Sequence, residues 1–373
     1  MKQGWVGSAS GGSPSQTRRP LPGTRSSALP SAGMFSDAGV RVASNPGACV
    51  SPARSKRSEG RASASSVSVA RHNALSLPPV KRRRRSRSRL WPARRTFRLS
   101  PSRASDYQQC PLLYRLRAID RLPEPKTLPQ VKGNLVHAVL EYMHAQPRPE
   151  RTYPAAVKQL KPHWAAMVEA DAELSELVPE TDLYDFLVDC RTLLRGYFEM
   201  ENPQGFDAHA VEMYVDTVLP NGVPVRGFID RVDVAPTGQV RVVDYKTGRA
   251  PGAGFEGKAL FQMRFYGLVI WRRTGRVPDL LQLVYLGDGT IIRYEPDEAD
   301  LLGLERNVRA VWAAIEQAVT TRDFRPNPSR LCGWCDFKPL CPAFGGTPPE
   351  LPETIEIITP EATPGDDQDS ASP

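Results

Sequence analysis

From position 97 onward the chain falls into runs of two rhythms. Where apolar residues return every three to four positions, one face of a helix is marked. This predicts a helix over 103–120, capped by Ser102 and carrying Tyr107, Leu113, Tyr114 and Leu116, and another over 131–145, where Val131, Leu135, Val139 and Tyr142 recur. Further helical patterns cover 155–173, 181–201, 258–273 and 297–320, the last with Leu301, Leu304, Val308, Val311 and Ile315 as its stripe. Where branched and polar residues alternate, strands are expected. They fall at 208–219, at 225–234 and 240–247 around a turn with Pro236, Thr237 and Gly238, and at 280–286 and 290–294 around Gly287, Asp288 and Gly289.

Residues 1–95 carry neither rhythm. They are rich in Ser, Arg, Pro, Gly and Ala, and such a segment cannot bury enough apolar surface to offset its ordering entropy. A disordered basic tail is expected. It holds 19 Lys and Arg against 2 acids, while the other residues hold 30 against 39, so the basic balance of the 373-residue chain belongs to the tail. The run Lys81 to Arg89 suits an electrostatic arm on nucleic acid or a nuclear address, and a start codon placed too far upstream explains the tail equally well. Residues 347–373 read as a disordered acidic tail. No stretch of eighteen apolar residues and no secretory core appear, so no membrane contact and a cytoplasmic location are expected. Six cysteines there are thiols or metal ligands before they are disulfides.

The chemistry gathers in G-F-I-D-R-V-D, from Gly227, and V-V-D-Y-K-T-G, ending at Gly248. Asp244 and Lys246, two apart on a strand, leave one face, and pairing across the turn sets Asp230 beside Asp244. Two close carboxylates repel unless a cation lies between them, and Mg²⁺ or Mn²⁺ suits such an oxygen-rich site. With Lys246 steadying developing charge, the chemistry suggested is metal-assisted phosphodiester hydrolysis. A solvated hairpin with surface ion pairs is the plain alternative.

The order of these motifs resembles the PD-(D/E)XK nuclease superfamily, and within it the RecB-like exonucleases and their CRISPR-associated relatives. The resemblance spans about 98–344 and implies an α/β fold, a restriction-endonuclease-like core with a mixed central sheet flanked by helices. It implies a nuclease domain at 96–346 with a helical insertion at 146–205 and a cysteine region at 325–346. His137 in KGNLVHAVLE matches a G-x-x-x-H helix whose His helps hold the metal with Asp230 and Asp244. Glu212 matches a supporting acid, and Gln262 with Tyr266 matches a Q-x-x-x-Y element that orients the site and meets DNA. The stretch GAGFEGKA at 252–259 fits a phosphate-binding loop. It ends on Ala259 where a hydroxyl is needed and puts Glu256 among phosphates, so ATP hydrolysis is not expected.

Cys332, Cys335 and Cys341 form C-x2-C-x5-C with no nearby His, which suits zinc or an iron–sulfur cluster alike. The resemblance implies a 4Fe–4S cluster joining the N- and C-terminal parts, held by these three and Cys110, with Zn²⁺ as the alternative. The expected function is a Mg²⁺- or Mn²⁺-dependent DNA exonuclease acting on single strands or ends in repair or recombination, with a helicase as a partner. The alternative is a catalytically silent DNA-binding subunit of a helicase–nuclease complex.

Overall fold

The computed structural model describes residues 41–43, 97–252 and 257–355. Six strands form one sheet: β1 (Arg41–Ala43), β2 (Ala210–Val218), β3 (Pro224–Val234), β4 (Val240–Lys246), β5 (Leu280–Tyr285) and β6 (Thr290–Tyr294), in the order β1-β6-β5-β4-β3-β2. All neighbours are antiparallel except β4 and β5. A parallel pair needs a crossover, and a helix over Gly257–Thr274 supplies it. The expected mixed sheet and its strand positions are met. Strand β1 comes from the segment expected as a basic tail, whose other residues up to 96 lie outside the described residues. It adds to the β6 edge by backbone pairing, which needs no apolar rhythm.

The helices are α1 (Pro101–Gln109), α2 (Pro111–Tyr114), α3 (Leu128–His144), α4 (Tyr153–Lys158), α5 (Leu160–Ala170), α6 (Glu173–Leu177), α7 (Glu180–Met200), α8 (Gly257–Thr274) and α9 (Glu298–Thr321). Two cores sandwich the sheet. On one face Val240 and Val242 join α1, α8 and α9 through Ala104, Phe265, Leu268, Leu304 and Trp312. On the other, Val243 and Tyr245 join α3 to α7 through Leu135, Val139, Leu187 and Leu194. Each fully buried Val or Leu contributes about 1.5–3 kcal/mol. Strand β4 is therefore covered on both faces, and its polar residues are held in place rather than solvated.

The expected helix over 103–120 is broken. Ser100, not Ser102, is the cap, its Oγ accepting from Arg103 N–H at 3.3 Å, and Pro101 opens the helix. Pro111 bars Cys110 from helical backbone, and Cys110 is extended with φ −165°. After α2 the chain continues as one wide turn, Arg115–Ile119. The helix expected over 155–173 likewise splits at Gln159, because Pro162 has no N–H to return to the preceding turn. Of the phosphate-loop motif, residues 253–256 lie outside the described residues and Gly257 to Ala259 open α8. At the other end, Arg115 donates to the Pro349 carbonyl and Arg322 to those of Leu351, Pro352 and Glu353. The segment after 347, expected to be loose, is thus tied down through 353.

Among the described residues no helix is long and apolar enough to cross a membrane.

Candidate active site

The β3–β4 ladder runs from Val234 opposite Val240 to Arg231 opposite Val243, which sets Asp230 opposite Asp244 at the next step. The sequence demands this close pairing of acids and the fold supplies their restraints. The Tyr245 backbone N–H donates to Asp230 Oδ2 at 2.7 Å. Burial first, and then the charge of Asp244, push the Asp230 carboxyl up to about 7. Gly227 is required nearby, because a Cβ there would stand 2.7 Å from Cε1 of Tyr266.

Helix α3 brings His137 over the same strands. Its Nε2 lies 3.1 Å from the Tyr245 carbonyl oxygen, which can only accept, so that nitrogen carries the proton. The other nitrogen, Nδ1, then turns its lone pair toward Asp230 at 3.6 Å and Glu212 at 3.8 Å. Burial alone would lower the His137 pKa, but the nearby carboxylates of Glu212, Asp230 and Asp244 outweigh it and raise it, so with no cation between them the acids favour a proton on this nitrogen too. Four residues before His137, Gly133 lets α3 approach β4 closely, its missing Cβ falling 3.3 Å from Thr247 Oγ1.

Glu212 reaches this point by an unusual backbone. Its neighbours Val211 and Met213 pair with Arg231 and Ile229, but Glu212 itself drops out of the ladder with φ +44°. Such a conformation costs a non-glycine residue about 1–3 kcal/mol. Among the described residues, His137, Glu212 and Asp230 are the one set of three ligating groups with donor atoms within 4.8 Å of one another. One imidazole nitrogen and carboxylate oxygens suit a divalent cation such as Mg²⁺ or Mn²⁺. The three line an open cleft of about 700 Å³.

Asp244, expected as a third ligand with His137 and Asp230, stands outside that set, and Glu212 takes the closer place. The Asp244 side chain is almost fully buried. Lys246 Nζ lies 2.7 Å from its Oδ2, off the direction of a hydrogen bond, so this oxygen has a charge partner but no hydrogen-bond donor. Gln262 on α8 closes the group: its Nε2 donates to Asp244 Oδ1 at 3.0 Å, and its Oε1 accepts from Lys246 at 2.9 Å. Tyr266, expected to meet DNA, is only 6% exposed; its hydroxyl accepts from Gln262 at 3.1 Å, and it orients that amide from within.

Sequence reading missed Tyr245, whose contribution is made by its peptide groups and so leaves no trace in residue type. It also missed the network behind it. Arg231, fully buried on the far face of β3, makes paired bonds to Glu201 at 2.7 and 2.9 Å and donates to the Tyr245 hydroxyl. The sequence signal was an Arg between two acids, Asp230 and Asp233, in a strand otherwise rich in branched apolar residues.

Cys110, Cys332, Cys335 and Cys341 line one pocket with Leu112 and Phe337. Backbone N–H groups of Asn327 and Ser329 point at the Cys110 and Cys332 sulfurs, each at 3.3 Å. No three of these thiols fall within 4.8 Å of one another. Cys190, far from them, is fully buried in the second core, and burial pushes its thiol up to about 12.

Over 273 residues the chain is similar to the "Gene 69 protein" of Mycobacterium phage D29, 26% identical over 66% of this chain and 96% of that relative. The "Gene 69 protein" of Mycobacterium phage L5 is 32% identical over 138 residues, 36% of this chain and 45% of that relative. A solved structure described as "Crystal structure of SSO0001" aligns over 57% of this chain and 97% of its own, at 17% identity and a TM-score of 0.27, too low to weigh on fold or function. Residues 98–342 match the profile of the PD-(D/E)XK nuclease superfamily, a span that takes in Cys110, His137, both acid strands and α8. The chain belongs to the PD-(D/E)XK nuclease superfamily.

Proposed function

We propose that this chain is a divalent-metal-dependent DNA exonuclease of the RecB-like, iron–sulfur-containing branch, acting in DNA repair or recombination. The observation that carries the nuclease reading is the convergence of His137 Nδ1, Glu212 and Asp230 on one point beside Asp244 and Lys246. The exonuclease, RecB-like and repair parts rest on the likeness of the motifs, including G-x-x-x-H and Q-x-x-x-Y.

His137, Glu212 and Asp230, with Asp244 beside them, would hold Mg²⁺ or Mn²⁺. Such an ion supplies a water of lowered pKa and a counter-charge for a phosphate oxygen. His137 offers its bare nitrogen because the Tyr245 carbonyl fixes the proton on the other. Gln262 holds the Lys246 ammonium and the Asp244 carboxylate in register, and Lys246 stands where charge on a scissile phosphate would grow. Purified protein with Mn²⁺ and end-labelled single-stranded DNA should release nucleotides from an end, and Asp244→Ala should abolish this. Binding without cleavage by the unaltered chain would favour a silent DNA-binding subunit of a helicase complex instead.

Cys110, Cys332, Cys335 and Cys341 would hold a 4Fe–4S cluster. The four thiols line one pocket and N–H groups aimed at two of the sulfurs suit thiolate ligands, while the likeness of the motifs favours the cluster over zinc. A cluster would staple the first helices to the last segment. Iron and acid-labile sulfide assays check this, with one zinc and no iron as the contrary result.

A further inference from the structure

Beyond the metal cleft, the hairpin of β2 and β3 carries one continuous row of chemistry on its outer face. Residues directly opposite in an antiparallel pair share a face, and so do residues two apart along a strand. Asp230, with the Glu212 carboxylate brought beside it from outside the ladder, makes the first step of the row, Tyr214 opposite Phe228 the second, and Asp216 opposite Arg226 the third. The intervening residues Met213, Val215, Val225, Gly227 and Ile229 are all buried on the other face.

The second step departs from what folding alone would select. Tyr214 is 45% and Phe228 57% exposed, and their rings meet at 5.1 Å between centroids with 55° between planes. Two large rings thus stand in solvent about 7 Å, two residues of strand, from the proposed metal ligands. That is about the reach of one nucleotide. The third step is strongly positive. Arg98 and Arg273 both pair with Asp216, and Arg103 donates to the Arg98 carbonyl at 3.2 Å. Arg226 has no carboxylate partner among the described residues. Two guanidinium groups therefore share one carboxylate, with Arg226 opposite it in the ladder and Arg103 beside Arg98. Burial, and then the like charge of Arg226, lower the Arg103 pKa, which places these two cations within reach of one another.

We infer that the outer face of this hairpin is a single-stranded DNA track, with Tyr214 and Phe228 stacking a base next to the scissile phosphate and the arginine group holding the phosphates beyond. Aromatic faces take any base and guanidinium groups take the backbone, so the track is indifferent to sequence. A duplex keeps its bases stacked inside and cannot use the rings, so the track selects single strands. This rests on the nuclease reading for its direction, toward the metal ligands, but not for its binding chemistry.

The test measures anisotropy of a fluorescent oligothymidine, an abasic strand of equal length and a blunt duplex on the full chain without added metal, with the nuclease assay alongside. For Tyr214→Ala/Phe228→Ala, affinity for oligothymidine should fall at least about tenfold. Affinity for the abasic strand should stay as it was, and Tyr214→Phe/Phe228→Tyr should bind like the natural chain. Arg226→Ala should weaken oligothymidine and abasic strand alike and reduce the salt slope by about 1. Equal losses on the abasic strand, or an unchanged oligothymidine affinity, would overturn the track even if cleavage is intact. Absence of cleavage with the binding pattern present would leave the track standing and remove the nuclease reading.

Discussion

His137 and Tyr245 are joined by a bond from ring Nε2 to backbone carbonyl oxygen at 3.1 Å, and that bond decides which imidazole nitrogen faces the acids. The same Tyr245 peptide unit holds Asp230 through its N–H. One residue therefore fixes two of the three groups that converge. His137→Ala should leave the circular dichroism spectrum unchanged and weaken Mn²⁺ binding, read by calorimetry, by more than about tenfold. Unaltered Mn²⁺ affinity would remove His137 from the ligand set.

Glu212 keeps a left-handed backbone inside a strand for the sake of its carboxylate position. A residue that tolerates this conformation relieves strain, and a β-branched one adds to it. Glu212→Asn should melt at or above the temperature of the natural chain, while Glu212→Val should lose about 1–2 kcal/mol. Both should bind Mn²⁺ more weakly. Equal melting of the two variants would mean the position carries no strain.

Gly227 is pressed against the Tyr266 ring. Gly227→Ala should destabilise by about 1–3 kcal/mol through overpacking. Adding Tyr266→Ala should recover part of that loss relative to Tyr266→Ala alone, a coupling that denaturant melts of the four proteins would expose. Additive losses would show that the ring is not the obstacle.

His144 sits beside Arg231 and Tyr197, and burial, then the Arg231 charge, hold its pKa down at about 3. The unfolded chain takes up this proton near 6.5, so between those values the unfolded state binds more protons than the folded one. Its contribution is complete above pH 6.5 and drains away as pH falls toward 3, at no more than about 1.4 kcal/mol per unit. Denaturation midpoints of the natural chain should therefore drop more steeply over this window than those of His144→Asn. Parallel curves would place the imidazole in water.

The acids, the lysine and the helical histidine were legible in the sequence because each combines a residue type with a fixed step: two along a strand, four along a helix. The strand register followed from the same alternation, and so Asp230 could be set beside Asp244 before any coordinates. What stayed hidden depended on contacts at long sequence separation or on backbone alone. Glu212 was legible as a supporting acid, but nothing in its neighbours announces its positive φ. Arg231 had no assigned role until Glu201, at the end of α7, met it across the sheet. The break at Cys110 was in plain view as a Cys-Pro step, but the apolar rhythm of Leu113 and Leu116 ran through it and hid the interruption.

The joining of α1 to the last third of the chain carries a further consequence. Tyr107 donates to the Ala314 carbonyl at 2.7 Å, and the Asn327 side chain donates to the Gln109 carbonyl at 3.0 Å. Helix α1 thus lies beside α9 and the segment that follows it. A circularly permuted gene, with residues 97 and 355 joined by a flexible glycine-serine spacer long enough to span them and new termini opened at Asn221 and Gly222, should keep the contacts around His137 and Asp230. Connectivity, in this fold, is separable from the chemistry that it carries.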